Sequence, residues 1–337
     1  MFPDNVDNQL PLVSSALRND LAAAVGPATV TPELSKLARK LPPAIHLGTS
    51  SWYFPGWAGI VFDRKVGIQT VRREGLRAYG QHPLLRTVGI DRTFYAPIPA
   101  AEFARYAEQV PDGFHFLVKA PKVFLTPPRG GEHDGPDANS PHFLDATGAT
   151  KKFVAPCLEG LGEKAGPLVF QFSPLGKVIT NAPQEFAQAL NRFLSSLPNG
   201  PLYAVELRDA ALFTQDYVEA LRAAGAHHCV SVHPRMPDVS TQAQFVMPSM
   251  DAPLVVRWNL HGGFNYKDAK DRYAPFDRLV DEDSDNRTAL AKLCARSHRA
   301  GQAAYVIINN KAEGSAPLSV FKLAAAIVNE LGARGPD

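Results

Sequence analysis

The stretch that decides the fold is Leu202-Tyr203-Ala204-Val205-Glu206-Leu207-Arg208-Asp209. It reads as a strand, in which successive side chains take opposite faces. Leu202, Ala204, Glu206 and Arg208 share one face, and Tyr203, Val205 and Leu207 share the other. One face therefore ends in an acid and a base. A buried strand holds such a pair only where both partners are satisfied, because an unpaired desolvated charge costs several kcal/mol. The pair is either a structural bridge or the floor of a site.

Outward from this strand, similar short apolar runs recur on both sides. Strand candidates lie at 44–49, 84–91, 113–119, 167–173, 201–208, 227–233, 253–258 and 303–309. Helical candidates lie at 68–79, 100–109, 143–161, 183–197, 214–224, 285–299 and 317–331. Phe186, Leu190, Phe193 and Leu194 recur at helical spacing, as do Leu290, Leu293 and Cys294, so these faces are core. Eight strands alternating with helices predict an α/β fold, a TIM-like (β/α)8 barrel, which takes ~250 residues. The competitor is a doubly wound open sheet. Its phosphate-cradling glycine loop is missing, since Gly48-Thr49-Ser50-Ser51-Trp52 follows the first strand.

Residues 1–43 precede the pattern and read as an N-terminal arm, partly helical over 13–25 and 31–40, with Thr31 placed to cap and Pro32 at the first helical position. Residues 44–337 read as one barrel domain. A hydrophobic content of 45% with 20% charged residues suits a folded chain. The formal net charge of +2 argues against nucleic acid as a partner. Cys157, Cys229 and Cys294 lie far apart without a Cys-x-x-Cys spacing, which suits a reducing compartment and excludes a cysteine-rich zinc ribbon. The start Met1-Phe2-Pro3-Asp4-Asn5 carries no basic-then-apolar leader, and no run reaches the ~18 apolar residues of a membrane helix. A cytoplasmic location without a membrane partner is expected. Two connections are long. The one at 122–142, dense in Pro and Gly, leaves strand three where barrel lids are found and reads equally as a lid or as a mobile surface excursion; the one at 259–280, richer in aromatics, is expected to be ordered.

Function in a barrel sits at the C-terminal strand ends. Here those ends read Thr49, Ser50 and Trp52, then Asp91, Lys119, Gln171, Glu206 with Arg208, His233, Arg257 with His261, and Asn309 with Asn310. Each has a structural and a functional reading. Glu206 and Arg208 either close the barrel or face a ligand. Arg257 can partner Glu206, and its planar fork also suits a phosphate or carboxylate. Lys119 either snorkels to water or meets a ligand. Asn309 caps backbone groups or orients a substrate oxygen. Trp52 and Tyr95 either pack at the rim or wall a sugar or base. No metal site is expected, because His227 and His228 point to opposite faces and the strand ends add only Asp91, Glu206, His233 and His261. No Gly-x-Ser-x-Gly motif occurs, and no motif names a cofactor.

Several stretches together resemble the uncharacterised YecE-like barrels called domain of unknown function 72. They are Gly48 to Trp52 followed by Trp57; Thr93-Phe94-Tyr95; Val110 to Lys119; Leu168 to Pro174; Ala204 to Arg208; Arg257 with His261-Gly262; and Asn309-Asn310. The resemblance runs over about residues 45–331. It implies a TIM-like barrel and no established reaction. Three departures stand out against the family pattern. Gly89 and Asp91 occupy the places of a usual Glu-x-Asn, the Arg-x-His-Gly is stretched to Arg257-Trp258-Asn259-Leu260-His261-Gly262, and Thr126-Pro127 replaces Thr-His.

Three functions compete on this reading. The leading one is an enzyme for a small anionic or sugar-like substrate. Lys119, Arg208, Arg257 and His261 would hold the anion, Glu206 or Asp91 would act as acid or base, and Asn309, Trp52 and Tyr95 would orient the substrate. The alternatives are a non-catalytic scaffold, which the departures favour, and a phosphodiester-binding barrel with stacking aromatics.

Overall fold

The computed structural model describes residues 24–127, 142–246 and 252–333. Its centre is a closed barrel of eight parallel strands in sequential order. These are β1 Ile45–Thr49, β2 Thr87–Ile90, β3 His115–Lys119, β4 Ala165–Gln171, β5 Tyr203–Glu206, β6 His227–Val232, β7 Leu254–Trp258 and β8 Ala304–Ile308. Closure comes from β1 against β8, in register from Ile45 opposite Ala304 to Thr49 opposite Ile308. Gly48 makes the β1–β2 approach, since a Cβ there would lie 1.8 Å from the Thr87 carbonyl oxygen.

The strands' apolar residues split into two cores, as the period of two requires. Residues facing outward pack under the helices in one large cluster. Residues facing inward form a separate layer across the lumen: Leu117, Val169, Ala204, Cys229, Val255 and Ile307. Below that layer, towards the N-terminal mouth, His46 stacks on Tyr305 at 4.7 Å with His115 edge-on at 4.6 Å. The lumen is thus plugged from beneath, and only its C-terminal mouth is open to polar chemistry.

Several elements differ from the sequence expectation. β2 is shorter than 84–91 because Leu85 N–H closes a turn onto the His82 carbonyl, and Asp91 already enters a 3-10 turn over Arg92–Phe94. Helix 143–161 is interrupted by a π turn at Thr150–Val154, just ahead of Pro156, whose ring and missing N–H disrupt regular α pairing. Helices at Val239–Val246 and Tyr266–Tyr273 add to those expected; in the latter Asn265 accepts from the Lys267 and Asp268 N–H groups as N-cap. Helix Ala316–Ala333, with 18 residues and mean hydropathy 1.2, is long and apolar enough to cross a membrane by length and composition alone, although Lys322, Asn329 and Glu330 interrupt its apolar run. Its buried face, including Val320, Leu323 and Ile327, instead packs on the barrel.

Thr31 caps helix Pro32–Lys40 by accepting from Leu34 N–H at 3.3 Å. This helix is tied to the barrel by Arg86, whose guanidinium donates to the carbonyls of Ala38, Leu41 and Pro42 at 2.7 to 3.2 Å. Most of the helix expected over 13–25, and most of the 122–142 connection, lie outside the described residues.

Candidate functional site

Two residues beyond each member of the apolar lumen layer, the same parity places a polar one. Leu117 leads to Lys119, Val169 to Gln171, Ala204 to Glu206, Cys229 to Ser231, Val255 to Arg257 and Ile307 to Asn309. A further step adds Arg208, His233 and Asn259. The site is this polar layer seated on a dry one.

Glu206 is its hub and has no exposed surface. Its Oε1 accepts from Ser231 Oγ at 3.1 Å and Asn259 Nδ2 at 3.0 Å, and meets Arg208 Nη2 at 2.5 Å. Its Oε2 accepts from Arg257 Nη1 at 2.7 Å. Burial alone would push this carboxyl up, but Arg208, Arg257 and Lys119 outweigh it and hold the pKa down to about 2. Arg257 reaches further: Nη1 also donates to Gln171 Oε1 at 3.1 Å, and Nη2 donates to both oxygens of Asp91 at 3.2 and 3.1 Å. Burial opposes its charge, yet Glu206 and Asp91 together raise its pKa. Ser231 is braced from outside, since Gln242 bonds its backbone N–H and carbonyl at 3.0 Å each, and Gln242 in turn contacts His228.

Above the hub lies a cavity of about 670 Å³, within the range of small-molecule sites. Lys119, Arg208, Arg235, Arg257 and Lys311 line it, against Asp91 as the one lining carboxylate among the described residues. Lys119 is 7% exposed, with its ammonium 3.9 Å from the centroid of the Phe94 ring. It donates no hydrogen bond to any described residue. Burial lowers its pKa to about 8, with Asp91 opposing and Arg257 assisting. Arg208 Nη1 is buried without a partner among the described residues. His233 accepts from Arg235 N–H at Nδ1, which leaves Nε2 as the protonated nitrogen of the neutral ring. Burial, aided by Arg208, holds its pKa at about 4. Tyr95, 74% exposed, and Tyr266, 44% exposed, stand at the rim.

Of the residues singled out from the sequence, Asp91, Lys119, Arg208, Arg257, Asn309 and Tyr95 line this cavity, with Glu206 sealed beneath it. Asn309 donates to Ser50 Oγ at 3.0 Å. Trp52 does not line it: its Nε1 donates to the Arg72 carbonyl, and it borders a separate 160 Å³ pocket with Tyr53, Gly89 and Tyr106. His261 is also outside the lining, its Nδ1 donating to the Gly262 carbonyl at 2.8 Å. Among the described residues no group of three or more His, Cys, Asp and Glu is arranged to hold a metal ion. Ser231, Asn259 and Lys311 were not singled out. Inward parity would have found the first two, since Ser231 precedes His233 by two residues and Asn259 follows Arg257 by two.

The family model described as "Protein of unknown function DUF72" matches residues 46–335. Two solved structures of that family share the architecture. The one from Thermotoga maritima is 18% identical, with a TM-score of 0.55 over 83% of this chain and 98% of its own. The one from Enterococcus faecalis is 16% identical, with a TM-score of 0.53 over 87% and 97%. At that identity they establish the fold alone. No curated protein matches the chain. With a family model spanning nearly the whole barrel and the same architecture in these relatives, the chain belongs to the DUF72 family.

Proposed function

We propose that the C-terminal mouth of the barrel binds a small ligand with an anionic head, phosphate or carboxylate, and an uncharged body that rests on the aromatic rim. The observation that carries this reading is Lys119, a nearly buried cation in a cavity lined by five basic side chains, with no group among the described residues accepting a hydrogen bond from its ammonium. Desolvating an ammonium without a partner is unfavourable, and an anion in the cavity removes that cost. Arg208 and the amide of Gln171 lie within the same lining and supply further donors. As an enzyme, the site would use Asp91 for proton transfer. Asp91 keeps 30% of its side chain exposed, whereas Glu206 has none. Glu206 then acts as the fixed counter-charge that aims Arg208 and Arg257.

The test is thermal unfolding with inorganic phosphate, ribose 5-phosphate and pyruvate, on the wild type and on Lys119→Met. A ligand at a hundred times its Kd stabilises by about 2.7 kcal/mol, so a rise of several degrees is expected in the wild type and its loss in Lys119→Met. No rise with any of the three, or an undiminished rise in the variant, refutes the reading.

A further inference from the structure

We propose that Lys119 forms a Schiff base with a small carbonyl compound bearing a carboxylate or phosphate; this rests on the anion-binding reading of the same cavity. The nucleophile inventory points to it. Cys157 and Cys294 are buried, and burial pushes their thiols up to about 12; Cys229 lies in the apolar layer beneath the site. Tyr79 and Tyr217 are buried and shifted upwards by burial too. Lys119 is shifted the opposite way and faces the cavity. At a pKa of about 8 the neutral amine at pH 7 is about 300-fold more abundant than at the usual 10.5. Burial also lowers the pKa of Lys311, which lines the cavity too, but Lys311 stands half-buried at the rim, near the Tyr266 and Phe276 rings at 5.7 and 6.0 Å.

Geometry adds what the amine needs. Lys119 projects from the end of β3, on a rigid element, and its Nζ is held over Phe94 with no hydrogen bond to any described residue. Asp91 lines the same cavity and interacts electrostatically with Lys119, so it can relay protons. Arg208 lines the same cavity and has a buried Nη1 without a partner among the described residues, so it can hold the ligand's anionic group beside the amine. The step balances without a redox partner. The ammonium first passes a proton to Asp91 through solvent water in the open cavity, and the freed Nζ lone pair then attacks the carbonyl carbon while the carbonyl π pair moves to oxygen. That oxygen collects one proton from Asp91 and one from nitrogen, and leaves as water. One ammonium and one carbonyl thus give one protonated imine and one water.

The experiment uses matched pairs: pyruvate with lactate, and dihydroxyacetone phosphate with glycerol 3-phosphate. The full-length protein is treated with sodium borohydride in the presence of each, and the modified lysine is located by peptide mass. The expected result is a reduced adduct at Lys119 with pyruvate or dihydroxyacetone phosphate, at least about tenfold above that at Lys122 or Lys311, because Lys119 sits at the buried end of the cavity whereas Lys311 stands at its rim and Lys122 is not in its lining. No adduct is expected with lactate or glycerol 3-phosphate, nor in Lys119→Arg. Thermal shifts by lactate or glycerol 3-phosphate, with no Lys119 adduct from either carbonyl compound, overturn the Schiff base and leave anion binding standing. Absence of both shift and adduct overturns both. An adduct spread evenly over the surface lysines overturns the Schiff base as well.

Discussion

Replacing Glu206 by Gln isolates the charge at the hub while keeping its shape. The carboxylate faces four donors, and two of them are guanidinium groups, at 2.5 Å from Arg208 and 2.7 Å from Arg257. Gln has one oxygen, so its amide must turn an N–H towards either Arg257 or the Arg208, Ser231 and Asn259 side, donor against donor. The guanidinium charges also lose their shared buried counter-ion. Removing one partner of a buried pair costs about 3–5 kcal/mol. The titration of Glu206 leads to a similar size, since a fall from 4.5 to about 2 corresponds to about 3 kcal/mol. The sign follows from the depressed folded pKa: the contribution is complete above pH 4.5 and is lost as pH falls towards 2. Urea unfolding at pH 7 should show Glu206→Gln destabilised by about 3 kcal/mol or more. Between pH 4.5 and 2.5 the wild type should lose stability more steeply than the variant. A variant within about 0.5 kcal/mol of wild type at pH 7, the ordinary scatter of surface changes, refutes the view that one carboxylate organises the site.

Three other outcomes follow from particular contacts. Arg86→Ala removes three bonds to the carbonyls of Ala38, Leu41 and Pro42. At about 1–2 kcal/mol for each bond from a charged donor, it should destabilise the chain by a few kcal/mol and speed amide exchange over residues 32–41 first, as read by hydrogen-exchange mass spectrometry. His82, buried and stacked on Phe321 at 4.7 Å, has its pKa lowered by burial to about 4. Its contribution is present above pH 6.5 and is lost as pH falls towards 4. His82→Asn, which can still accept from Leu84 N–H, should flatten the stability–pH slope in that window in urea titrations. Tyr95→Ala should leave the unfolding midpoint unchanged, because the ring is 74% exposed, but shrink the thermal shift produced by a ring-bearing ligand such as ribose 5-phosphate more than that by inorganic phosphate.

The barrel was legible because its signal is repeated eight times, and each apolar run ends in a polar residue at the same end. The site was legible to the extent that its members are charged. Glu206, Arg208, Arg257 and Lys119 declare themselves as charges on apolar strands, whereas Ser231 and Asn259 carry no charge and blend with ordinary strand-exit polarity. Trp52 and His261 stand outside the lining of this cavity for another reason. Both lie beyond the last inward-pointing strand residue, where period two no longer governs direction. There the chain turns, and local hydrogen bonds to Arg72 and Gly262 carbonyls set the side chains instead. The helix at Val239–Val246 was missed because its short, weakly patterned run carries little periodic signal; its value to the site is Gln242, which holds Ser231 from behind.

The distribution of counter-charge over the three inner cations explains where a ligand belongs. Arg257 is shared by two carboxylates, Glu206 and Asp91, and has least to gain from an anion. Arg208 has Glu206 on one side and, on the other, a buried Nη1 without a partner among the described residues. Lys119 has no hydrogen-bonded acid among the described residues. The protein's own neutralisation therefore declines from Arg257 through Arg208 to Lys119, and an incoming anion is drawn towards the Lys119 end of the cavity. Gly89 keeps it so. It faces the position where the resemblance leads one to expect an acid, and a Cβ there would already lie 3.0 Å from the Ser50 carbonyl oxygen. An acid restored at that position would need the Ser50 backbone to give by a few tenths of an ångström. Within this chain the second strand thus contributes one acid, Asp91, already bidentate on Arg257, and Lys119 is left for the ligand.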